Sequence, residues 1–390
     1  MTTTASTTDA ARGLRALTAE EAEASERNRT LTPRTVEALW DSGLLQSFNP
    51  AEAGGAEPSF TEMIETWIEL AWQDGSLGWI GIANLPSAAA CAAYLPQAGF
   101  DEVFTAHDNR VTVGGQFFPN GLGAVVDGGY RITGAWNFGS GTGHAEYVAG
   151  GFMPTVDGEL VVGDDGIPPL LVAVFPREEI VFTDGWHVQG LKGTGSFDYN
   201  VSDVFVPEAR TFELFTRTPE RGRSPAFRMG LMAITAAGHA SWALGVAKSM
   251  LDDVSELAMV KVRMGDDGAL ANRATFQKGL SHHRAMWKAA RLLVLDTFAG
   301  AEQHVLEGGE LTPTMRADLR VAATYATEAS REVVQWAHLA AGTSAIREGS
   351  RLERAFRDLY TGTQHVFIGE KTYIDATRIH LGLIEDQFGL

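Results

Sequence analysis

The sequence predicts an α+β multi-domain chain: an N-terminal α-helical domain over 14–107, a middle β-barrel or sandwich over 108–216, and a C-terminal four-helix bundle over 222–390. Three observations predict it. Helix-capping signals precede each apolar-periodic stretch of the first part, short β-branched runs broken by Gly follow from Val111 to Glu213, and long helical periodicity returns after the polar stretch Arg217 to Ser224. At ~150 residues per domain, 390 residues accommodate two or three such units.

Met1 to Gly13 is Thr/Ala-rich without the apolar stretch of a signal peptide and reads as a mobile tail. Thr18 with Glu21, Thr32 before Pro33, and Ser59 with Glu62 mark helix starts. No charge falls between Asp74 and Asp101, but Pro86, Pro96, Asn84, Ser87 and Gln97 interrupt that run and no Lys or Arg flanks it. It therefore reads as two buried helices joined at Pro86, not as a membrane span. In the middle part, Val111-Thr-Val, Tyr130-Arg-Ile-Thr, Leu170 to Phe175 and Phe197 to Val201 read as strands, with hairpin turns at Asp127-Gly and Asp157-Gly. Four helical segments near 226–262, 268–306, 313–341 and 351–380, each about 30 residues and ~45 Å long, describe an up-and-down bundle.

Composition narrows the function. Lys and Arg number 31 against 49 Asp and Glu, a formal net charge of -18, and there is no basic run. Nucleic acid and anionic membrane surfaces are therefore poor partners. Cys91 is the lone cysteine, and adjacent His282 and His283 would diverge by about 100° on a helix, so a cytoplasmic, metal-free protein is expected.

Two Gly-rich loops stand out in the β part: Gly134-Ala-Trp-Asn-Phe-Gly-Ser-Gly141 and Gly190-Leu-Lys-Gly-Thr-Gly-Ser196. Neither matches a dinucleotide or P-loop fingerprint, and each also suits a tight β turn. Their edges carry chemistry, however. Trp136 and Phe138 can offer faces to a planar ring, while Ser140, Thr194, Ser196 and the backbone N–H groups beside Gly can bond its heteroatoms, which suits a flavin better than a phosphate.

The arrangement resembles the acyl-CoA dehydrogenase fold over nearly the whole chain. The stretch Asp127 to Ala145, the segment Trp186 to Asp198, Val204-Phe-Val-Pro207 and Arg351 to His365 are similar to the branch of two-component flavin-dependent monooxygenases. This resemblance implies an oxygenase component that uses reduced flavin (FMN or FAD) and O2, through a C4a-hydroperoxyflavin, to hydroxylate or N-oxidise a small organic substrate. It further implies a separate NAD(P)H:flavin reductase, since no nicotinamide fingerprint is seen, and a homotetramer, which agrees with apolar positions on more than one helix face at Val333, Val334, Trp336 and Leu339.

Residue by residue, the resemblance makes His365 the imidazole that acts on substrate or peroxide and Ser140 the hydroxyl near flavin N5. The flavin contacts it implies are Trp136, Asn137, Phe138, Ser140, Gly141, Thr194, Ser196 and Arg263. The substrate pocket would draw on Trp79, Asn84, Phe117, Thr361 and His365, although Trp79, Phe117, Phe118, Trp136 and Phe138 suit a plain core equally well. Arg354, Arg357 and Asp358 read as an ion-paired structural network.

Many acyl-CoA dehydrogenases place a Glu base where this chain has Thr361, in Tyr360-Thr-Gly-Thr363, and an unactivated hydroxyl cannot replace it. Residues Phe227 to Leu251, the other family position for that base, contain no Asp or Glu. An acyl-CoA dehydrogenase or desaturase with an unrecognised base is thus the alternative, and a non-catalytic binding protein on the same scaffold a further one. The second active-site His that some members carry is absent between Ile80 and Leu95, where Asn84 and Ser87 are the polar residues.

Overall fold

A computed structural model describes residues 6–163, 166–265, 267–387 and 389. Six helices come first: α1 (Thr7–Gly13), α2 (Arg15–Asn28), α3 (Pro33–Asp41), α4 (Phe60–Gln73), α5 (Gly75–Tyr94) and α6 (Gln97–Val103). Thr32 and Ser59 cap α3 and α4 as expected, accepting from the backbone N–H of Thr35 and Glu62.

Three local expectations are corrected. Residues Thr7 to Gly13 are a helix and not a tail, because Thr7 and Thr8 hydrogen-bond Thr66 and Glu62 of α4 and bury against it. Thr18 lies inside α2, which begins at Arg15, and its hydroxyl donates to Gln73 instead of capping. Helix α5 runs unbroken through Pro86: burial on nearly every side holds the helix despite the N–H that proline lacks.

The β part comprises β1 (Val113–Val126), β2 (Gly129–Gly139), β3 (Tyr147–Val156), β4 (Glu159–Leu160), β5 (Leu171–Pro176), β6 (Val181–Thr183), β7 (Phe197–Pro207) and β8 (Thr211–Glu213). These form one sheet in the order β6-β7-β2-β1-β3-β5-β8, with β4 paired to β3 and the β1–β3 pair parallel. Asp127-Gly and Asp157-Gly turn the β1–β2 and β3–β4 hairpins. In a flat sheet, β2 and β5 would stand roughly 14 Å apart, three strand spacings. Yet the rings of Trp136 on β2 and Phe175 on β5 are 6.1 Å apart, so the sheet curls around its own core like a barrel.

The C-terminal helices are α7 (Pro225–Met229), α8 (Leu231–Val260), α9 (Ala274–Leu306), α10 (Pro313–Ala341), α11 (Arg351–Gly362) and α12 (Glu370–His380). The expected fourth bundle segment, 351–380, is therefore two helices. The break has a packing cause: a Cβ at Gly362 would fall 2.5 Å from Trp242 and 2.9 Å from Trp79, so the chain leaves the helix where two indoles press on it. His365 lies in that break.

Helix α8 crosses α4 closely, for a Cβ at Gly245 would sit 2.5 Å from the Ile68 carbonyl oxygen and 2.6 Å from Ala71. This crossing joins the N-terminal helices to the bundle and fixes α8 beside the start of α5. Among the described residues, no helix is long and apolar enough to cross a membrane.

Candidate active site

Asp74 caps α5 by accepting from the N–H groups of Ser76 and Leu77, which sets the first turn of that helix at the junction of the three parts. Trp79 follows on that turn, buried edge-on against Trp242 of α8 with ring centroids 4.9 Å apart. Its indole N–H donates to Ser140 Oγ at 2.9 Å.

The two Gly-rich loops meet here and zip together. Gly141 N–H donates to the Thr194 carbonyl, and both Thr142 Oγ1 and Gly143 N–H donate to the Gly195 carbonyl. Phe138, Gly141, Leu191 and Gly195 adopt positive φ to make the turns, the two non-glycines at 61° and 55°. Buried Asn84 braces the pair: its amide donates to the Val113 carbonyl, and its side chain lies where a Cβ on Gly141 would need to be.

Ser140 Oγ accepts from Trp79 and also from Ser196 Oγ at 3.1 Å, and Ser196 is in turn 2.7 Å from Thr194 Oγ1. With its lone pairs engaged, half-buried Ser140 keeps its own O–H to donate outward. Beside it, Trp186 donates to the Leu191 carbonyl and meets Phe138 edge-on at 6.2 Å, while Phe138 itself is 64% exposed. An open aromatic edge, a hydroxyl donor and loop backbone thus border one cleft.

Two imidazoles also pack against Trp79. His365 and His239 have ring centroids 4.4 Å apart and lie 5.9 and 5.3 Å from Trp79. His365 Nδ1 accepts the Phe367 N–H at 3.2 Å, so the neutral ring carries its hydrogen on Nε2. Solvent reaches His365 along the cleft, yet the protein mass around it, and then the Arg320 charge, push its pKa down to about 4. His239 is held well below its ordinary value by burial, then by His365 and Arg320. Burial and the nearby Arg177 likewise push His144, in the first loop, down to about 4. These rings are neutral at neutral pH.

The unfolded chain protonates its histidines near pH 6.5 while the fold keeps these neutral, so their contribution is present above pH 6.5 and is lost as pH falls toward 4. His239→Gln is expected to flatten the fall of the urea midpoint between pH 6.5 and 5 relative to wild type. An unchanged slope would refute the buried neutral His239.

Under the loops, Asp358 of α11 accepts the Leu191 N–H at 2.6 Å, and its other oxygen is buried without a partner beside Gly75. Burial, then the Asp74 charge, raise its pKa to about 8. Arg354 pairs with Asp74 at 3.2 Å, and Arg357 bonds Glu26, Glu353 and the Gln189 carbonyl. The expected network is therefore an Arg–carboxylate cluster that ties α11 to α2, α5 and the second loop, with Asp358 acting on the loop backbone.

The predicted site residues fall into three groups. Ser140, Gly141, Thr194, Ser196, Phe138, Trp79, Asn84, Thr361 and His365 surround or brace the cleft. Thr361 Oγ1 is buried without a partner, 2.6 Å from where a Cβ on Gly190 would stand. Asn137 is exposed on β2, and Phe117 is partly buried against Phe212 at the edge of the helical core.

One expectation fails on geometry, and a second residue lies apart from this chain's own cleft. Trp136 is fully buried inside the curled sheet, stacked on Tyr199 at 5.2 Å with its N–H bonded to the Gly151 carbonyl, so it offers no face to a ligand. Arg263 donates to the Ala340 carbonyl beyond the C-terminal end of α8. That end lies roughly 32 Å along the helix from His239 at 1.5 Å per residue, out of reach of the same chain's cleft. Sequence reasoning missed His239 and Trp186. A single His in the apolar run Leu231 to Leu251 was the available signal for the first.

Comparison with known proteins gives the same answer. Residues 237–370 match the acyl-CoA dehydrogenase C-terminal domain family. The chain is 30% identical over 369 residues to indole-3-acetate monooxygenase of Pseudomonas putida, covering 92% of this chain and 89% of that one. It is 29% identical to the flavin-dependent monooxygenase oxygenase subunit HsaA of Rhodococcus jostii, covering 89% and 90%. The crystal structure of the HsaA monooxygenase from M. tuberculosis superposes with a TM-score of 0.87 at 25% identity, covering 97% and 98%.

Fold and cleft thus define a flavoprotein of the acyl-CoA dehydrogenase fold. Within it, the chain belongs to the family of flavin-dependent monooxygenase oxygenase components and is an oxidoreductase. The residues fit a flavin: Phe138 and Trp186 supply an aromatic border, Ser140 a free donor, and Thr361 Oγ1 a buried hydroxyl still lacking a partner.

Proposed function

We propose that this protein inserts one oxygen atom of O2 into a small aromatic substrate, working with a separate NAD(P)H:flavin reductase in the cytoplasm. The observation that carries the reading is the O–H that Ser140 keeps while accepting from Trp79 and Ser196, with the neutral His365 ring packed against the same Trp79. Reduced flavin, FMN or FAD, supplies the two electrons that reduce the second oxygen atom to water. Ser140 donates a hydrogen bond at the flavin edge, and the interlocked loops shape the seat of the ring. Trp79 and Phe367 exclude water from around His239. His365 holds a proton at Nε2 and donates it as a hydrogen bond to the substrate, and His239 keeps its ring in place. Hydroxylation of carbon is favoured over N-oxidation by the relatives that act on aromatic substrates, indole-3-acetate monooxygenase among them.

The reading is tested by mixing anaerobically reduced flavin and protein with O2 in stopped flow. Oxidised-flavin absorbance is expected to return later than for free flavin, and Ser140→Ala to shorten that delay. Wild-type protein that oxidises flavin as fast as free solution would end the proposal.

The three parts are proposed as domains at 14–107, 108–216 and 222–390, assembled as a homotetramer. Exposed Leu292 and Leu293 on α9 and Tyr325 and Leu339 on α10 support this, as apolar surface fitted to further copies of the chain. Light scattering is expected to give four times the 41.9 kDa chain mass, and a monomeric mass would refute the assembly.

A further inference from the structure

Two hydroxyls of the second loop, Thr194 and Ser196, lie behind Ser140 and touch no solvent. We propose that they are positioning residues: a hydroxyl relay of fixed direction, from Thr194 to Ser196 to Ser140, that makes Ser140 a hydrogen-bond donor only to the ring in the cleft. This rests on the flavin seat of the monooxygenase reading and assigns the residues that set its polarity.

Burial excludes direct contact with a ligand. Thr194 and Ser196 are 0% and 1% exposed, so what their hydroxyls offer is offered within the protein. Each hydroxyl has one hydrogen and two lone pairs. Ser196 stands as the donor to Ser140 Oγ at 3.1 Å, which commits its hydrogen. The 2.7 Å contact between Ser196 Oγ and Thr194 Oγ1 must then take its hydrogen from Thr194, because two buried oxygens that close with none between them repel.

Thr194 has one competing acceptor, the Leu191 carbonyl at 2.9 Å. That oxygen already accepts the Trp186 indole N–H at 3.1 Å and the Thr194 backbone N–H at 3.3 Å, which fill its two lone pairs. Trp186 thereby turns the Thr194 hydrogen toward Ser196. At the far end Ser140 also accepts from Trp79 at 2.9 Å. With both lone pairs taken, Ser140 can donate to a ligand but cannot accept from one, so an acceptor atom is selected there and a donor rejected.

The turn that carries the relay is anchored from outside the cleft. Leu191 N–H donates to Asp358 of α11, Gly193 N–H to Ser76 Oγ of α5, and Gly195 N–H to the Arg29 carbonyl. Leu191 and Gly195, both at φ of 55°, bracket the short turn Lys192–Thr194. The relay therefore keeps its geometry while the cleft fills, and each upstream hydrogen polarises the next O–H toward Ser140.

Anaerobic titration of the full chain with reduced FMN and reduced FAD tests this, with variants compared on the flavin that wild type binds more tightly. Thr194→Val keeps the shape and removes the hydroxyl; Thr194→Ser keeps the hydroxyl and removes the methyl. Thr194→Val is expected to weaken binding about two- to threefold and Ser196→Ala about two- to tenfold, the range of one net hydrogen bond, with Thr194→Ser like wild type. In a Ser140→Ala background, Thr194→Val and Ser196→Ala should change nothing further, since the relay then ends on no donor. A packing role gives the reverse, with Thr194→Ser the weaker binder and losses that persist without Ser140, and either result overturns the proposal. So do unchanged affinities for Thr194→Val and Ser196→Ala. The delayed oxidation of reduced flavin by wild type reports the parent reading separately: it persists if only the relay is wrong and disappears if the monooxygenase reading is.

Discussion

His365→Asn is expected to lower substrate oxygenation by about 10²- to 10³-fold, the usual effect of removing one positioned hydrogen-bond donor. The same variant should still consume O2 with reduced flavin, returning the electrons as hydrogen peroxide instead of product. The reason is a division of roles: Ser140 and the loops proposed to meet the flavin are bonded to the Trp79 indole N–H, while His365 packs against the Trp79 ring. The measurement is product formed per flavin oxidised, using a substrate turned over by wild type. Coupling equal to wild type would refute the role of His365. Because burial and Arg320 push this imidazole down to about 4, wild-type coupling should stay level from pH 8 to about 5, without a bend near the ordinary histidine value of 6.5. His239→Asn should give a smaller loss, since that ring supports His365 from α8 through a 4.4 Å ring contact.

Much of this site was legible in the sequence because it is written locally. Gly134 to Gly141 and Gly190 to Ser196 announce backbone that needs positive φ, and Ser140, Thr194 and Ser196 announce hydroxyls beside it. What could not be read was which aromatic faces which way. Trp136 and Phe138 are two positions apart, so on a regular strand they share a face; the positive φ at Phe138 breaks that alternation and sends one ring into the sheet core and the other to the cleft. His239 escaped because its significance comes from a helix crossing: only α8 packed against α5 and the break after Gly362 brings it to His365. Arg263 shows the opposite case, since a local resemblance does not tell how far along a 30-residue helix the residue ends up, here away from the same chain's cleft. The break at 363–369 was equally hidden, being caused by Trp79 and Trp242 from two distant elements.

The interlocked loops make a second large effect expected. Gly141→Ala should cost about 1–3 kcal/mol of stability and abolish tight flavin binding, because two separate penalties fall on one atom. Gly141 has φ of 74°, a region L side chains rarely occupy, and its new Cβ would stand 2.5 Å from Asn84 Cγ. Asn84 cannot simply retreat, since its amide holds the Val113 carbonyl at the start of β1, and displacing it pulls on the N–H to carbonyl contact between Gly141 and Thr194. The two penalties separate in a double variant. Asn84→Ala with Gly141→Ala relieves the clash but not the backbone strain, so urea unfolding should show less destabilisation than the two single changes added together. Strict additivity would mean that Asn84 does not brace the loop, and a Gly141→Ala protein with wild-type flavin affinity would mean that the paired loops do not shape the flavin site.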